Sequence, residues 1–159
     1  MTILSATAAM PKGRFRIDAD DMPSISFKMA EGLKLGVAIS RYMDGTDQEA
    51  MLNFGKAEYD NLVLTAGEAL ESLQPWYQWQ DSILNATQNG GLVGEDLMKT
   101  IDVVCERNDG STAMTIRHEL CLLMSIELDS RDADSADTAV DKMEIAVTRR
   151  RIIFGDGTG

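Results

Sequence analysis

A lone histidine, two cysteines, a few serines and a spaced acidic run are the side chains of this sequence best suited to bond chemistry or ion binding. His118 is the only histidine, and it falls in phase with Ile116 and Leu120 in an alternating stretch. A general base needs a positioned partner and a substrate cleft. A histidine on the apolar phase of a strand is expected instead to be a satisfied core or interface residue. Ser111, Ser125 and Ser130 lack the sharp strand-to-helix setting that exposes a serine nucleophile. Cys105 and Cys121 lie inside apolar runs. They are too few for a secreted disulfide framework and are expected to be reduced and packed as small hydrophobes. One histidine with two separated cysteines does not make a structural zinc site. Asp129, Asp132 and Asp134 are spaced somewhat like calcium ligands, but the run lacks the glycine and terminal glutamate of an EF-hand. It reads as a solvated acidic loop. Trp76 and Trp79, at helical spacing, could stack on a ligand, yet they suit a core or a neighbouring subunit better. The expectation is no catalytic, cofactor-binding or metal-ligating residue.

The elements that carry these residues are mostly strands. Residues 1–12 read as an arm closed off by Pro11 and Gly13, and Phe15-Arg16-Ile17 as a first short strand. Asp18 to Asp21 reads as an acidic turn. Ile25, Phe27 and Met29 alternate with polar neighbours, and Glu31-Gly32 breaks the pattern. Leu33, Leu35, Val37 and Ile39 form a clean period-two strand ending at Tyr42-Met43-Asp44-Gly45. Thr46 to Lys56 shows little period and reads as an ordered loop, and Tyr59 to Thr65 returns to strand. Thr65 and Glu68 fit a capping box. Pro75, an interior helix breaker, predicts a short turn at 68–73 and a main helix from Pro75 to about Asn89. Leu70, Leu73, Trp76, Tyr77, Ile83 and Leu84 would share its apolar stripe, with Asn89-Gly90-Gly91 as the stop.

Ile101, Val103 and Cys105 alternate next, followed by the hairpin turn Asn108-Asp109-Gly110-Ser111. Met114, Ile116, His118, Leu120, Leu122, Met124, Ile126 and Leu128 then share one phase. Strands usually run about 5–6 residues, so this one is either bent midway or belongs to a barrel with long tilted strands. Asp129 to Asp137 reads as a loop. Met143, Ile145 and Val147 begin a last strand that Ile152-Ile153-Phe154 continues past Arg149-Arg150-Arg151. Those arginines read as a solvated strand face or ion-pair partners.

At 159 residues, the chain suits one domain, residues 13–155, with a loose tail at 156–159. Its formal charge of −11 and pI near 4.4 repel nucleic-acid backbones. The first residues imitate a signal peptide only faintly, without a charged start, and no segment has the ~20 apolar residues of a membrane span. Synthesis and folding in the cytoplasm are expected.

Read in order, several segments resemble the inner tail-tube proteins of contractile phages and phage-like injection systems. Phe27 to Leu33 is similar to the family's F-x-x-V-x-G-L turn, and Tyr42 to Gly45 to its Y-x-E-G strand end. Gly55 to Leu64 is similar to P-G-x-x-x-Y-x-x-L-T-L, with Phe54 in place of the proline. Ala66-Gly67 stands where the family has Arg-Gly, and Leu120 to Met124 reads unlike its N-A-W-P stretch.

The resemblance implies a mainly β (α+β) fold, a small β-barrel or sandwich with one principal flanking helix. It implies a structural subunit without cofactor that stacks as hexameric rings into a hollow tube. Sheath, baseplate or spike and tube-cap proteins would be its partners. Protein cargo or DNA would pass through the lumen without sequence reading, and acidic residues are expected to line part of it. Asp44, Gly45, Asn53, Phe54, Gly55, Met143 and Ile145 are the candidate subunit-interface residues. A tube-initiating or tube-capping paralogue is the near alternative. A monomeric ligand-binding barrel with the Trp helix as lid is the distant one, and a small hydrolase more distant still.

Overall fold

The computed structural model describes residues 10–22, 27–42, 45, 51–66, 70–88, 94–129, 132–134 and 140–155. Nine strands and one helix follow in the order β1 (Phe15–Ala19), β2 (Met29–Glu31), β3 (Leu35–Tyr42), β4 (Met51–Tyr59), β5 (Leu62–Ala66), α1 (Leu70–Gln88), β6 (Lys99–Glu106), β7 (Thr112–Glu127), β8 (Asp141–Ala146) and β9 (Arg149–Phe154). A 3-10 turn, Glu95–Leu97, leads into β6. Seven strands form one antiparallel sheet, ordered β1-β6-β7-β8-β5-β2, with β9 added to β7. The path does not close into a barrel. β3 and β4 pair only with each other, as a separate two-stranded sheet.

Strand β7 is 16 residues long and bends midway. Its first part pairs with β6 and β9, and its last part with β8. Leu120 sits at the bend with φ 51°, a left-handed conformation rare for a branched side chain. Lys99 pairs with Cys121 and Ile101 with His118, so β7 holds one residue more than β6 there. That bulge reverses the alternation. Ile116 and His118 face inward before it, Cys121 and Leu123 after it, and Leu120 itself is exposed. The single unbroken phase expected from Met114 to Leu128 is therefore corrected. A second register shift between Leu123 and Ser125 brings Ile126 back towards the core beside Met143.

Helix α1 is continuous from Leu70 to Gln88, with Pro75 inside it. The expected break at Pro75 does not occur. The proline lies in the second turn, where its missing N–H costs one hydrogen bond. Core packing outweighs that loss: Leu73, Trp76, Trp79 and Ile83 are all buried. Leu84, expected on this stripe, is exposed, and Trp79 takes its place. Trp76 stands edge-on to Phe27, 5.5 Å between centroids, and to Trp79 at 5.9 Å. Trp79 Nε1 donates to the Leu97 carbonyl at 2.7 Å, and Tyr77 donates to Asp141 at 2.8 Å. The tryptophans thus build the core. The capping box at 65–68 and the stop at 89–91 lie at least partly outside the described residues.

The remaining expectations divide. Asp18 and Ala19 belong to β1, so the acidic turn shrinks to Asp20 and Asp21. Ile25 lies outside the described residues; of the alternation that begins there, Met29–Glu31 is strand, with Phe27 buried ahead of it. The Asn108–Ser111 turn forms as expected, with Gly110 at φ 88° and Arg107 N–H donating to the Ser111 carbonyl at 2.8 Å. Residues 51–56, expected as loop, are strand. The last strand is two strands, β8 and β9, interrupted at Val147-Thr148, where Thr148 Oγ1 donates to the Leu120 carbonyl at 2.8 Å. Arg149 and Arg151 pair with Glu119, as ion-pair partners should. Arg150, by contrast, is buried.

Both cysteines are free. Cys121 is fully buried, and burial pushes its thiol up to about 12. Burial also raises the Cys105 thiol. His118 is buried with Nδ1 facing the Ile101 carbonyl at 2.9 Å, so Nδ1 carries the hydrogen and donates it. Burial pushes this imidazole down to about 4, and it stands in register beside Arg150.

Two outcomes follow from the core. Trp76→Ala is expected to cost about 3–5 kcal/mol, the range for emptying a buried tryptophan site, read as a shift in the urea unfolding midpoint. The folded His118 binds its proton only near pH 4, whereas an unfolded histidine binds it near 6.5. The folded state therefore holds fewer protons across that window, and stability falls as pH drops through it, by about 3 kcal/mol in all. The stability difference between wild type and His118→Gln, measured from pH 7 to pH 4, should shrink as the pH falls.

Candidate assembly surface

The β3–β4 hairpin is built from residues that would normally cover a core, yet nothing in the described chain covers them. Cross-strand partners share a face. Leu35 pairs with Tyr59, Val37 with Ala57, Ile39 with Phe54, and Arg41 with Leu52. One face is therefore almost wholly apolar. Phe54 is 76% exposed, and Leu35, Val37, Ile39 and Leu52 lie between 43% and 50%. The opposite face is more mixed, carrying Glu58, Ser40 and Asn53 together with Gly36 and with Met51, the partner of Tyr42. An exposed apolar face of this kind marks a surface that another molecule covers.

A bulge lies between Val37 and Ile39, where β4 holds the extra residue. Gly55 sits in it. A Cβ there would lie 2.9 Å from the Ala38 Cβ and 3.1 Å from its carbonyl oxygen, so only glycine lets the strands approach this closely. The bulge keeps Leu52 and Phe54 on the same face as Ala57 and Tyr59, although their sequence phases differ.

The candidate interface residues separate into two groups. Asn53, Phe54 and Gly55 lie together on β4, with Phe54 on the apolar face and Asn53 on the other. Gly45 is exposed in the turn region beyond β3. Asp44 lies outside the described residues. Met143 and Ile145 are fully buried on β8, which is paired on both sides by β5 and β7. They face this chain's own core and offer no surface, so they are withdrawn as contact residues. Leu35, Val37, Ile39 and Leu52 belong to the surface and were not singled out. The alternation of Leu35 to Ile39 was visible; what sequence alone lacked was that no other element covers that strand.

The outward face of the main sheet is very different. Arg117 makes two bonds to Asp102, at 3.0 and 3.1 Å. Arg16 reaches Glu106 at 2.8 Å and Asp18 at 3.2 Å. The ion pair with Asp102 holds Arg117 above the usual guanidinium range against some burial. For Arg16 burial pulls downward, and Asp18 and Glu106 together outweigh it and raise the group. This face satisfies its own charges. Among the described residues, no group of three or more His, Cys, Asp and Glu side chains could hold a metal. No described helix is long and apolar enough to cross a membrane.

An open sheet with paired charges, an uncovered apolar hairpin face and further exposed apolar side chains at Met124, Leu128 and Phe154 offers surface for packing against other chains. The model of the T4-like virus tail tube protein gp19 family matches residues 11–151, and the chain belongs to that family. Its fold is also that of solved tube components. It matches a chain of the extracellular contractile injection system PVC sheath-tube complex in the extended state, at 24% identity and TM-score 0.77, covering 97% of this chain and 99% of that one. It matches a chain of the anti-feeding prophage tube-terminating cap at 22% identity and TM-score 0.77, covering 98% and 100%. A chain of the PVC sheath/tube terminator follows at 23% identity and TM-score 0.74, covering 91% and 96%. No curated protein sequence matches the chain.

The hairpin surface makes a direct demand. Phe54→Asp should leave the thermal unfolding of the isolated subunit within about 0.5 kcal/mol of wild type, as for exposed positions. The same change should abolish association, read by sedimentation velocity.

Proposed function

We propose that this chain is an inner-tube subunit of a contractile phage tail or phage-like injection system, working by self-assembly without catalysis. Copies close into six-membered rings, and the rings stack into a hollow tube inside a contractile sheath. Sheath contraction drives the tube through a target envelope, and the bore passes protein or DNA without reading its sequence. Baseplate and cap proteins meet its two ends.

The observation that carries this reading is the uncovered apolar face of β3–β4 in a member of the tail-tube family. β1 and β2, the ends of the sheet path, add unpaired strand edges. Such edges invite pairing with another chain, and a head-to-tail contact between copies closes into a ring when its rotation allows. The candidate contacts are Gly45, Asn53, Phe54 and Gly55 on the hairpin side, together with the apolar face. The ion-paired outward face of the main sheet suits an aqueous bore, because its charges are already matched.

A tube-end paralogue is the second reading, and the likeness in fold to cap and terminator chains favours it equally. A ligand-binding monomer would use the cleft of about 470 Å³ lined by Phe15, Met29, Leu33, Val103 and Met114. No residue of α1 lines that cleft; Pro75, Gln78, Trp79 and Ser82 of the helix line a smaller one of about 250 Å³ instead.

Electron microscopy of the purified full chain, with sedimentation alongside, tests these readings. Long hollow tubes are expected for the main subunit, single rings for an end paralogue. A protein that stays monomeric at every concentration and salt would overturn both.

A further inference from the structure

One buried side chain holds both feet of the hairpin. Arg150, on β9, is 2% exposed. Its Nη1 donates to the Lys34 carbonyl at 2.5 Å and its Nη2 to the Asp60 carbonyl at 2.9 Å. Lys34 immediately precedes β3, and Asp60 immediately follows β4. A second contact lies one step further out along the chain. A Cβ on Gly32 would fall 1.9 Å from the Asn61 carbonyl oxygen, and Gly32 has φ 80°, so the two legs touch backbone to backbone there. Beyond its feet the hairpin packs on itself and on little else of the described chain. Its direction is therefore set at the base.

The chemistry of the clamp suits that task. A guanidinium is planar, and its donors form a rigid fork. Two carbonyls, one from each leg of the hairpin, fix that fork in both position and plane. A lysine ammonium is a compact charge with three rotatable donors on a flexible stem, so it can meet the carbonyls without fixing their plane or spacing. Burial pulls the Arg150 guanidinium below its ordinary range, and the nearby Asp60 charge opposes this. The clamp also explains why β3–β4 stands apart. A side chain joins it to β9 where a backbone ladder would have merged it into the main sheet.

The geometry points to Arg150 as a positioning residue for assembly, fixing the angle at which β3–β4 leaves the main sheet and hence where its apolar face meets a second copy. This rests on the reading of the hairpin as a subunit contact.

The test uses the full chain with Arg150→Lys, Arg150→Met and, as reference, Phe54→Asp. Amide hydrogen exchange is followed in the unassembled protein, and particle geometry by electron microscopy. Loss of one or both clamp bonds is expected to speed exchange in β3 and β4 about tenfold or more, with β6 and β8 unchanged. Rings or tubes that still form should show altered or mixed rise and twist. Phe54→Asp should keep wild-type exchange in the hairpin and lose assembly. Where Arg150→Met fails to fold, Arg150→Lys carries the test, since it keeps the charge and the aliphatic stem. Unchanged hairpin exchange and unchanged particle geometry in a folded Arg150→Lys would overturn the proposal. So would exchange raised equally in every strand, or a Lys variant that does not fold, because Arg150 would then be a stability residue only. If wild type never assembles and Phe54→Asp changes nothing, the assembly reading fails instead, and the exchange data still decide whether Arg150 orients the hairpin.

Discussion

The bulge at Leu120 shapes this domain. β7 must serve two ladders, with β6 and β9 on its first part and β8 on its last. A straight strand with one unbroken phase would turn Leu120, Leu122 and Met124 inward and Cys121 and Leu123 outward. One added residue reverses that assignment and bends the sheet. The gap between β8 and β9 falls opposite the same residue, where Thr148 Oγ1 donates to the Leu120 carbonyl. The bent sheet can then bury Trp76 and Trp79 of α1 in one core with Ile17, Leu64, Ile116 and Met143. Core packing of this quality tolerates a proline in the second helical turn and a buried, neutral histidine on β7.

The hairpin answers the opposite requirement. The core hides its large apolar side chains, while β3–β4 leaves its own exposed, and in the proposed tube a neighbouring copy covers them. A rigid base is what makes such a surface useful. A loose amphipathic ribbon would associate in many arrangements, whereas one held at both feet presents a single geometry. The net charge of −11 works against indiscriminate clumping of free subunits.

Much of this is legible in the sequence, and the misses have several physical causes. Strands with an unbroken period, such as Leu35 to Ile39, were read correctly. Strands crossed by a bulge are legible only in part: β7 is expected as a strand, bent or tilted, but the switch of its phase is not, and the start of β4 is not seen. Leu52 and Phe54 are out of phase with Ala57 and Tyr59, so β4 looked unpatterned until Gly55 was seen in a bulge. β7 erred the other way, because its apolar residues fill both phases around Leu120 and hide the switch. Pro75 argued locally against a helix that tertiary packing sustains. Among the surface candidates, Phe54 came from its place in a family-like segment. Met143 and Ile145 failed because alternation reveals a buried face without telling whether the same chain or a neighbour buries it. Arg150 was hidden in a basic triplet whose outer members behave as expected; its burial depends on two carbonyls remote in sequence.

The thiols carry a separate consequence. Sulfur reacts with oxidants and disulfides as the thiolate, and burial holds Cys121 protonated far above neutral pH. Cys105 is only partly sheltered, but it too is shifted towards the protonated form. A particle built from many such copies would age slowly in air, with few covalent scars between neighbours to lock them together.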